Sequence, residues 1–365
     1  MEEMYYYRLH QVTGIGRHTY QKILNYVTPK ELYEGNAEKI APFLSKKQVE
    51  NIRKSIESGN IHKEWEILKK KNIQVLGYLQ NCYPEKLTKI SDPPPVLYCK
   101  GNGELLNRPS VAVIGARACS NYGSLMAKEL GRKLAAMGIV VVSGMARGID
   151  GICQKSCLEY GGTSIGVLGS GVEVCYPPEN KPLYEKLQVQ GALISENLPF
   201  TKPSPGLFPL RNRIISGLAD IIVVIEARAK SGTLITVDMA LEQGKEVYVI
   251  PGRITDNLSF GCNRLIKQGA GMICSIDEFL EEIAPLLQTR HENLENPKPD
   301  LSGEEKAILK AIDVTYKTME EIFCLVKKEF PAMTIVGLME LLLELQIKQW
   351  VKEEAGYYYC QKRIL

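Results

Sequence analysis

Seven short apolar runs between residues 111 and 276 constrain this chain more than any other feature: VAVIG (111–115), IVVVSG (139–144), TSIGVLG (163–169), ALISE (192–196), DIIVVIE (220–226), EVYVIP (246–251) and MICSI (272–276). Amphipathic stretches near 121–137, 148–160 and 180–189 separate the first of them, and further helices lie between the rest. Strands this continuously apolar need cover on both faces, and strands that alternate with helices pair in parallel. The pattern predicts an α/β domain with an extended Rossmann-like parallel sheet. In such sheets ligands bind beyond the carboxyl ends of the strands.

The 365 residues leave room for two or three domains. Upstream, Leu9 to Val27 reads LHQVTGIGRHTYQKILNYV, a helix, a Gly14-Ile15-Gly16 turn and a second helix, the shape of a SAM-like helix-hairpin-helix. Its turn either offers backbone amides to a phosphate or only packs the two helices together. Ile40 to Leu68 reads as another helical pair, and from Ile73 the pattern changes to short β-type runs, with Asp92-Pro93-Pro94-Pro95 turning into VLYCKG. The expected organisation is a helical domain over 1–72, the α/β domain over 73–289, a polar linker over 290–300 (RHENLENPKPD) and a small domain over 301–365. The last shows helices at 303–312, 318–329 and 332–345, a strand IKQWV, a turn at Glu353 to Gly356 and a strand YYYC, the order of a winged helix.

Charge bears on the partner. The net charge is +3, with 13 lysines and arginines against 9 acids in 1–72, 23 against 23 in 73–300, and 9 against 10 in 301–365. A polyanion would therefore be held by a local cluster and not by a general positive field. The third helix of the last domain, TIVGLMELLLEL, has no basic residue for phosphate contact, so it reads as core plus a protein contact surface. The longest apolar stretches, Ile139 to Val142 and Ile221 to Ile225, fall far short of the ~20 residues of a membrane helix, and Met-Glu-Glu opens no signal segment. A cytoplasmic protein without membrane contact is expected. Ten cysteines, at 82, 99, 119, 153, 157, 175, 262, 274, 324 and 360, form no Cys-x-x-Cys pair. They read as reduced packing residues, with no metal site and no disulfide framework.

The unusual residues follow the strands. Gly115-Ala116-Arg117-Ala118-Cys119-Ser120 succeeds the first run, Ser143-Gly144-Met145-Ala146-Arg147-Gly148-Ile149-Asp150 the second, and Gly169-Ser170-Gly171 the third. Phe208-Pro209-Leu210-Arg211-Asn212-Arg213 precedes the run at 220–226, and Lys230-Ser231-Gly232-Thr233 follows it. A parallel sheet would bring these segments to one edge, where four arginines, a lysine and glycine-exposed amides suit phosphate oxygens. The bland alternative is that the glycines only permit close packing and the arginines pair with Asp150, Glu173, Glu196 and Glu226. Neither a dinucleotide fingerprint nor a P-loop is present: the first loop lacks Gly-x-Gly-x-x-Gly, and the one Gly-Lys pair, Gly244-Lys245, is followed by Glu246. All four histidines (10, 18, 62, 291) lie outside 73–289, so no Ser-His or Cys-His pair can form there. No catalytic residue and no cofactor is expected, which leaves recognition of a phosphate-rich ligand.

Taken together, VAVIGARACSNYG, VVSGMARGIDGICQKSCLEYGGTSIGVLGSGVEVCYPPEN and ISENLPFTKPSPGLFPLRNRIISGLADIIVVIEARAKSGTLITVDMALEQGKEVYVIPG resemble the DNA-processing family DprA, also called Smf. The likeness extends to the helix-hairpin-helix and to the YPEKLTKISDPPPVLYCKG lead-in. The resemblance implies a single-stranded DNA-binding protein of natural transformation that protects incoming strands, loads the RecA recombinase and works as a homodimer. Its phosphate pocket falls on Gly115, Arg117, Ser143, Gly144, Arg147, Gly169, Gly171, Arg211, Asn212, Arg213, Ser231 and Gly232. By the same resemblance Lys181 is a further basic position and Phe208 a base-stacking residue. The family's dimer contact corresponds to NRLIKQGAGMI, where Leu265, Ile266 and Met272 either meet a partner or pack onto their own sheet. Two other readings stay open. A phosphoribohydrolase of the lysine-decarboxylase-like kind shares this general fold, but Ile235 and Thr236 stand where its catalytic glutamate belongs. A purely protein-binding adaptor would suit the acidic last domain.

Overall fold

The apolar runs become the strands of one nine-stranded sheet. The structure, a computed structural model, describes residues 2–35, 40, 42, 44–58, 61–287, 301–312, 317–348, 350–354 and 356–360. Its contacts divide the chain into two units, Met1–Glu292 and Asn293–Leu365. The linker expected at 290–300 lies outside the described residues.

The first unit opens with helices α1 (Glu3–His10), α2 (Arg17–Leu24), α3 (Pro29–Tyr33), α4 (Lys46–Glu57) and α5 (Ile61–Lys70). Strand β1 (Ile73–Gly77), the short helix α6 (Glu85–Thr88) and β2 (Val96–Gly101) follow. Strands and helices then alternate: β3 (Ser110–Gly115), α7 (Asn121–Ala136), β4 (Val140–Ser143), α8 (Ile149–Glu159), β5 (Ser164–Val167), α9 (Lys181–Gln190) and β6 (Ala192–Ser195). The series ends with α10 (Leu207–Leu218), β7 (Ile221–Ile225), α11 (Gly232–Glu242), β8 (Glu246–Ile250), α12 (Phe260–Lys267), β9 (Gly271–Met272) and α13 (Ile276–Leu286). The sheet order is β1-β2-β6-β5-β4-β3-β7-β8-β9. From β6 to β9 every pair is parallel, whereas β1–β2 and β2–β6 are antiparallel. The sheet is mostly parallel and not wholly so.

Alternate residues of each central strand serve two cores. Ala112, Ile114, Val140, Val142, Ile222 and Val224 point into one, and Val111, Val113, Val141, Ile221, Val223 and Ile225 into the other. Cover on both faces explains why these strands read as unbroken apolar runs. The run MICSI forms a strand only at its first residue. Ser275 stands at the N-terminal boundary of α13 in extended backbone, and Asp277 and Glu278 fill that helix's first turn, where acids favour helix starts.

The N-terminal helices share a third core with the sheet's first strands: Tyr6, Leu9, Tyr20 and Ile23 lie in one buried cluster with Val75, Val96 and Tyr98. Within it the His10 ring stacks on Tyr98, centroids 5.7 Å apart, with Nδ1 2.8 Å from the tyrosine hydroxyl. Burial lowers the His10 pKa from the ordinary 6.5 to about 4. The unfolded chain therefore takes the proton first. The stability that depends on the neutral ring is complete above about 6.5 and is lost as pH falls toward about 4. Urea unfolding across that range is expected to lose about 2–3 kcal/mol more in the parent than in His10→Gln.

The second unit holds α14 (Gly303–Ile312), β10 (Lys317–Thr318), α15 (Met319–Glu329), α16 (Ile335–Ile347), β11 (Val351–Glu354) and β12 (Tyr357–Cys360). The three strands pair antiparallel in the order β10-β12-β11. Ile308, Ile322, Leu338, Leu342 and Val351 are among its buried residues. The strand expected at IKQWV begins only at Val351, because Leu342 and Leu345 keep the helical spacing that buries α16 against this core.

Candidate nucleic-acid interface

Strand β3 has β4 on one side and β7 on the other, so the chain order reverses there and a crevice opens beyond the carboxyl ends. A cleft of about 650 Å³ occupies that place. It gathers Gly115, Arg117, Phe208, Arg211, Asn212, Ser231 and Gly232 of the predicted residues together with Lys230, the lysine expected at this edge, and adds Asp150, Tyr176 and Arg228. The remaining predicted residues do not line it. Ser143 is buried behind, its hydroxyl donating to the Val113 carbonyl at 2.6 Å. Gly144 lies between Asp150 and Arg211, and its N–H donates to Asp150 Oδ2 at 3.1 Å. Gly169 sits under Phe208, where an added Cβ would come within 2.7 Å of the ring. Gly171 is closed in by the Leu198 and Pro199 carbonyls. Arg147 pairs with Glu179 at the surface, and Lys181 is exposed, 3.9 Å from Glu185.

Three helices start beside the cleft, and two of those starts are already occupied. At α7 the buried Glu226 carboxylate accepts the Ser120 N–H at 2.9 Å and the Ser120 hydroxyl. Glu226 reaches this position from the end of β7 with φ +56°. It thus holds the helix N-terminus where a dinucleotide fold puts a phosphate. At α8 the Ile149 N–H donates to the Ala116 carbonyl at 3.2 Å. Gly148, with φ +71°, lets the loop cross there, since a Cβ would lie 2.2 Å from that oxygen. The start of α11 is different. Ser231 Oγ accepts the Thr233 N–H at 3.0 Å, and Thr233 Oγ1 donates to the Gly115 carbonyl at 3.1 Å, which ties the helix to β3. Gly232 is exposed with nothing within 4 Å of a Cβ placed on it.

The predicted arginines divide by what their guanidinium groups hold. Arg211 is only 5% exposed. Its Nη1 donates to the Gly144 carbonyl at 2.8 Å and to the Val167 carbonyl, so it joins the ends of β4 and β5. Burial pulls its pKa down to about 10 against the opposing pull of Asp150. Burial in turn raises the Asp150 carboxyl, which Arg211 partly offsets. Arg213 leaves the cleft: it forks onto Glu196 at 2.7 and 2.6 Å, and its Nε lies 3.2 Å from Asp92, which also pairs with Arg17. Both buried guanidinium groups thus have partners within the chain, strand-end carbonyls for Arg211 and carboxylates for Arg213. Arg117, Arg228 and Lys230 are exposed and make no ion pair among the described residues. Arg228 lies outside the predicted set, although EARAKSG places Arg and Lys directly before the cap of α11. Tyr176 lies outside the predicted set as well. It is 43% exposed, with its ring 5.3 Å from that of Phe208 and tilted by 36°.

The proposed dimer residues split as well. Leu265 is buried in the sheet core and Ile266 packs against it, while Met272 is exposed on the edge strand β9. Among the described residues no helix is long and apolar enough to cross a membrane, and no group of three or more His, Cys, Asp or Glu could hold a metal ion.

The cleft thus lies at the carboxyl edge of a mostly parallel α/β sheet, with exposed cations, the solvent-facing start of α11 and a ring pair around it. Residues 74–284 match the family model described as DNA recombination-mediator protein A, and the chain belongs to this DprA/Smf family. DNA processing protein DprA of Streptococcus pneumoniae is 43% identical over 204 residues, 56% of this chain and 72% of that protein. An X-ray structure of DprA from that species matches with a TM-score of 0.67 at 35% identity, covering 76% of this chain and 97% of the other. Protein Smf of Synechocystis is 31% identical across 99% of both chains. A structure of DNA processing protein A from Helicobacter pylori, described for its single-stranded DNA binding mode, matches with a TM-score of 0.54 at 30% identity over 60% of this chain and 97% of its own.

Proposed function

We propose that the chain binds single-stranded DNA without regard to sequence, shields incoming strands in the cytoplasm and hands them to the RecA recombinase during natural transformation. The observation that carries this reading is the grouping of Arg117, Arg228 and Lys230, all without ion-pair partners among the described residues, around the solvent-facing start of α11 at Gly232 and beside Phe208 and Tyr176. Cations and helix amides grip phosphates whatever the base, and rings accept any unpaired base face. The Helicobacter relative's description supports the same ligand. In this reading the α/β part is an extended Rossmann-like domain, the N-terminal helices are a helix-hairpin-helix, and the last unit is a winged helix. A homodimer formed along β9, with Met272 at its face, completes it; Leu265 serves the core instead.

Duplex keeps its bases paired and withholds them from Phe208 and Tyr176. One stacked base is worth ~1–3 kcal/mol, so a labelled single-stranded oligonucleotide is expected to bind at least about tenfold more tightly than its duplex. Fluorescence anisotropy at two salt concentrations checks this, and equal affinity for both forms removes the proposal.

A further inference from the structure

Helix α16 buries Leu338, Leu342 and Leu345 in the core of the second unit. Its outer face is apolar too. Ile335, Val336, Met339, Leu343 and Ile347 are between 53% and 76% exposed. Four of them recur every fourth residue, one ridge about 18 Å long, with Val336 beside it. Isolated exposed apolar side chains are ordinary, but a contiguous row on a helix apolar nearly all round is a surface that a partner covers.

Charge selects the partner. Ile335–Ile347 contains Glu340 and Glu344 and no lysine or arginine. Glu344 lies 3.6 Å from Lys348, whose ammonium is also held by Glu305 at 2.7 Å. Glu340 makes no ion pair among the described residues. An acidic edge repels DNA phosphates and anionic lipid head groups. A second copy would bring another acidic edge and no base within its own α16. We infer that the outer face of α16 docks a protein helix that bears an apolar stripe edged with lysine or arginine. Such a helix seats its stripe on the ridge while its cations meet Glu340 and Glu344.

The full chain can be titrated with two synthetic amphipathic peptides that share one leucine stripe, the first edged with lysines and the second with glutamates. The lysine-edged peptide is expected to bind about tenfold or more tightly than its twin, and less so at high salt. Leu343→Asp and, separately, Val336→Asp, both at exposed positions, should abolish that binding with an unchanged circular dichroism spectrum. Glu340→Lys combined with Glu344→Lys should reverse the preference. Equal binding of the two peptides, or binding of neither, overturns the proposal. So does a lower solution mass of Leu343→Asp than of the parent, which would mean that a second copy covers the face.

Discussion

Arg211→Met is expected to destabilise the protein by about 3–5 kcal/mol, the range found when one member of a buried charge pair is removed. The substitution takes the offsetting cation away from the buried Asp150 carboxyl, which burial already raises, and strips a donor from the Gly144 and Val167 carbonyls. Arg211→Lys should recover only part of the loss, because an ammonium on a flexible stem cannot bridge two strand ends as a planar fork does. Urea midpoints of the three proteins measure this. In this account any weakening of DNA binding in Arg211→Met follows from damage to the cleft floor. A variant with parental stability and no DNA affinity would instead make Arg211 a ligand contact.

The opposite outcome is expected for Arg117→Ala, Arg228→Ala and Lys230→Ala combined. All three side chains are exposed and free of ion pairs among the described residues, so the urea midpoint should stay within experimental scatter. Each phosphate contact to a single strand contributes ~0.7 to the slope of log affinity against log salt. Loss of three contacts should lower that slope by about two and the low-salt affinity by roughly a hundredfold. Anisotropy titrations over a salt series decide it, and an unchanged slope would exclude these cations from the interface.

Much of this was legible in the residues, and the exceptions share a cause. The central strands announce themselves because both their faces are buried, so apolarity persists along each run without the alternation of a half-exposed strand. Their loops could then be assigned to one edge, which is how Arg117, Phe208, Asn212 and Ser231 were found. What the order of residues does not carry is which charge meets which. Arg211 and Arg213 lie two positions apart in one helix and face different surroundings, one toward strand-end carbonyls and the other toward Glu196. Arg228 stands three residues before the cap of α11, but the order of residues does not tell that its side chain is left exposed and without an ion pair among the described residues. Tyr176 becomes significant only through its distance to Phe208. MICSI and IKQWV failed for a related reason: a short apolar run suits either a strand or a helix, and neighbouring caps and core contacts decide between them.

Glu226 has a consequence for what the cleft can offer an anion. Its side-chain carboxylate already satisfies the start of α7, so a phosphate arriving there would meet negative charge instead of free amides. Under the proposed function the grip falls to the exposed cations along the rim, which add up over successive phosphates of a long thread and give a single nucleotide little to hold.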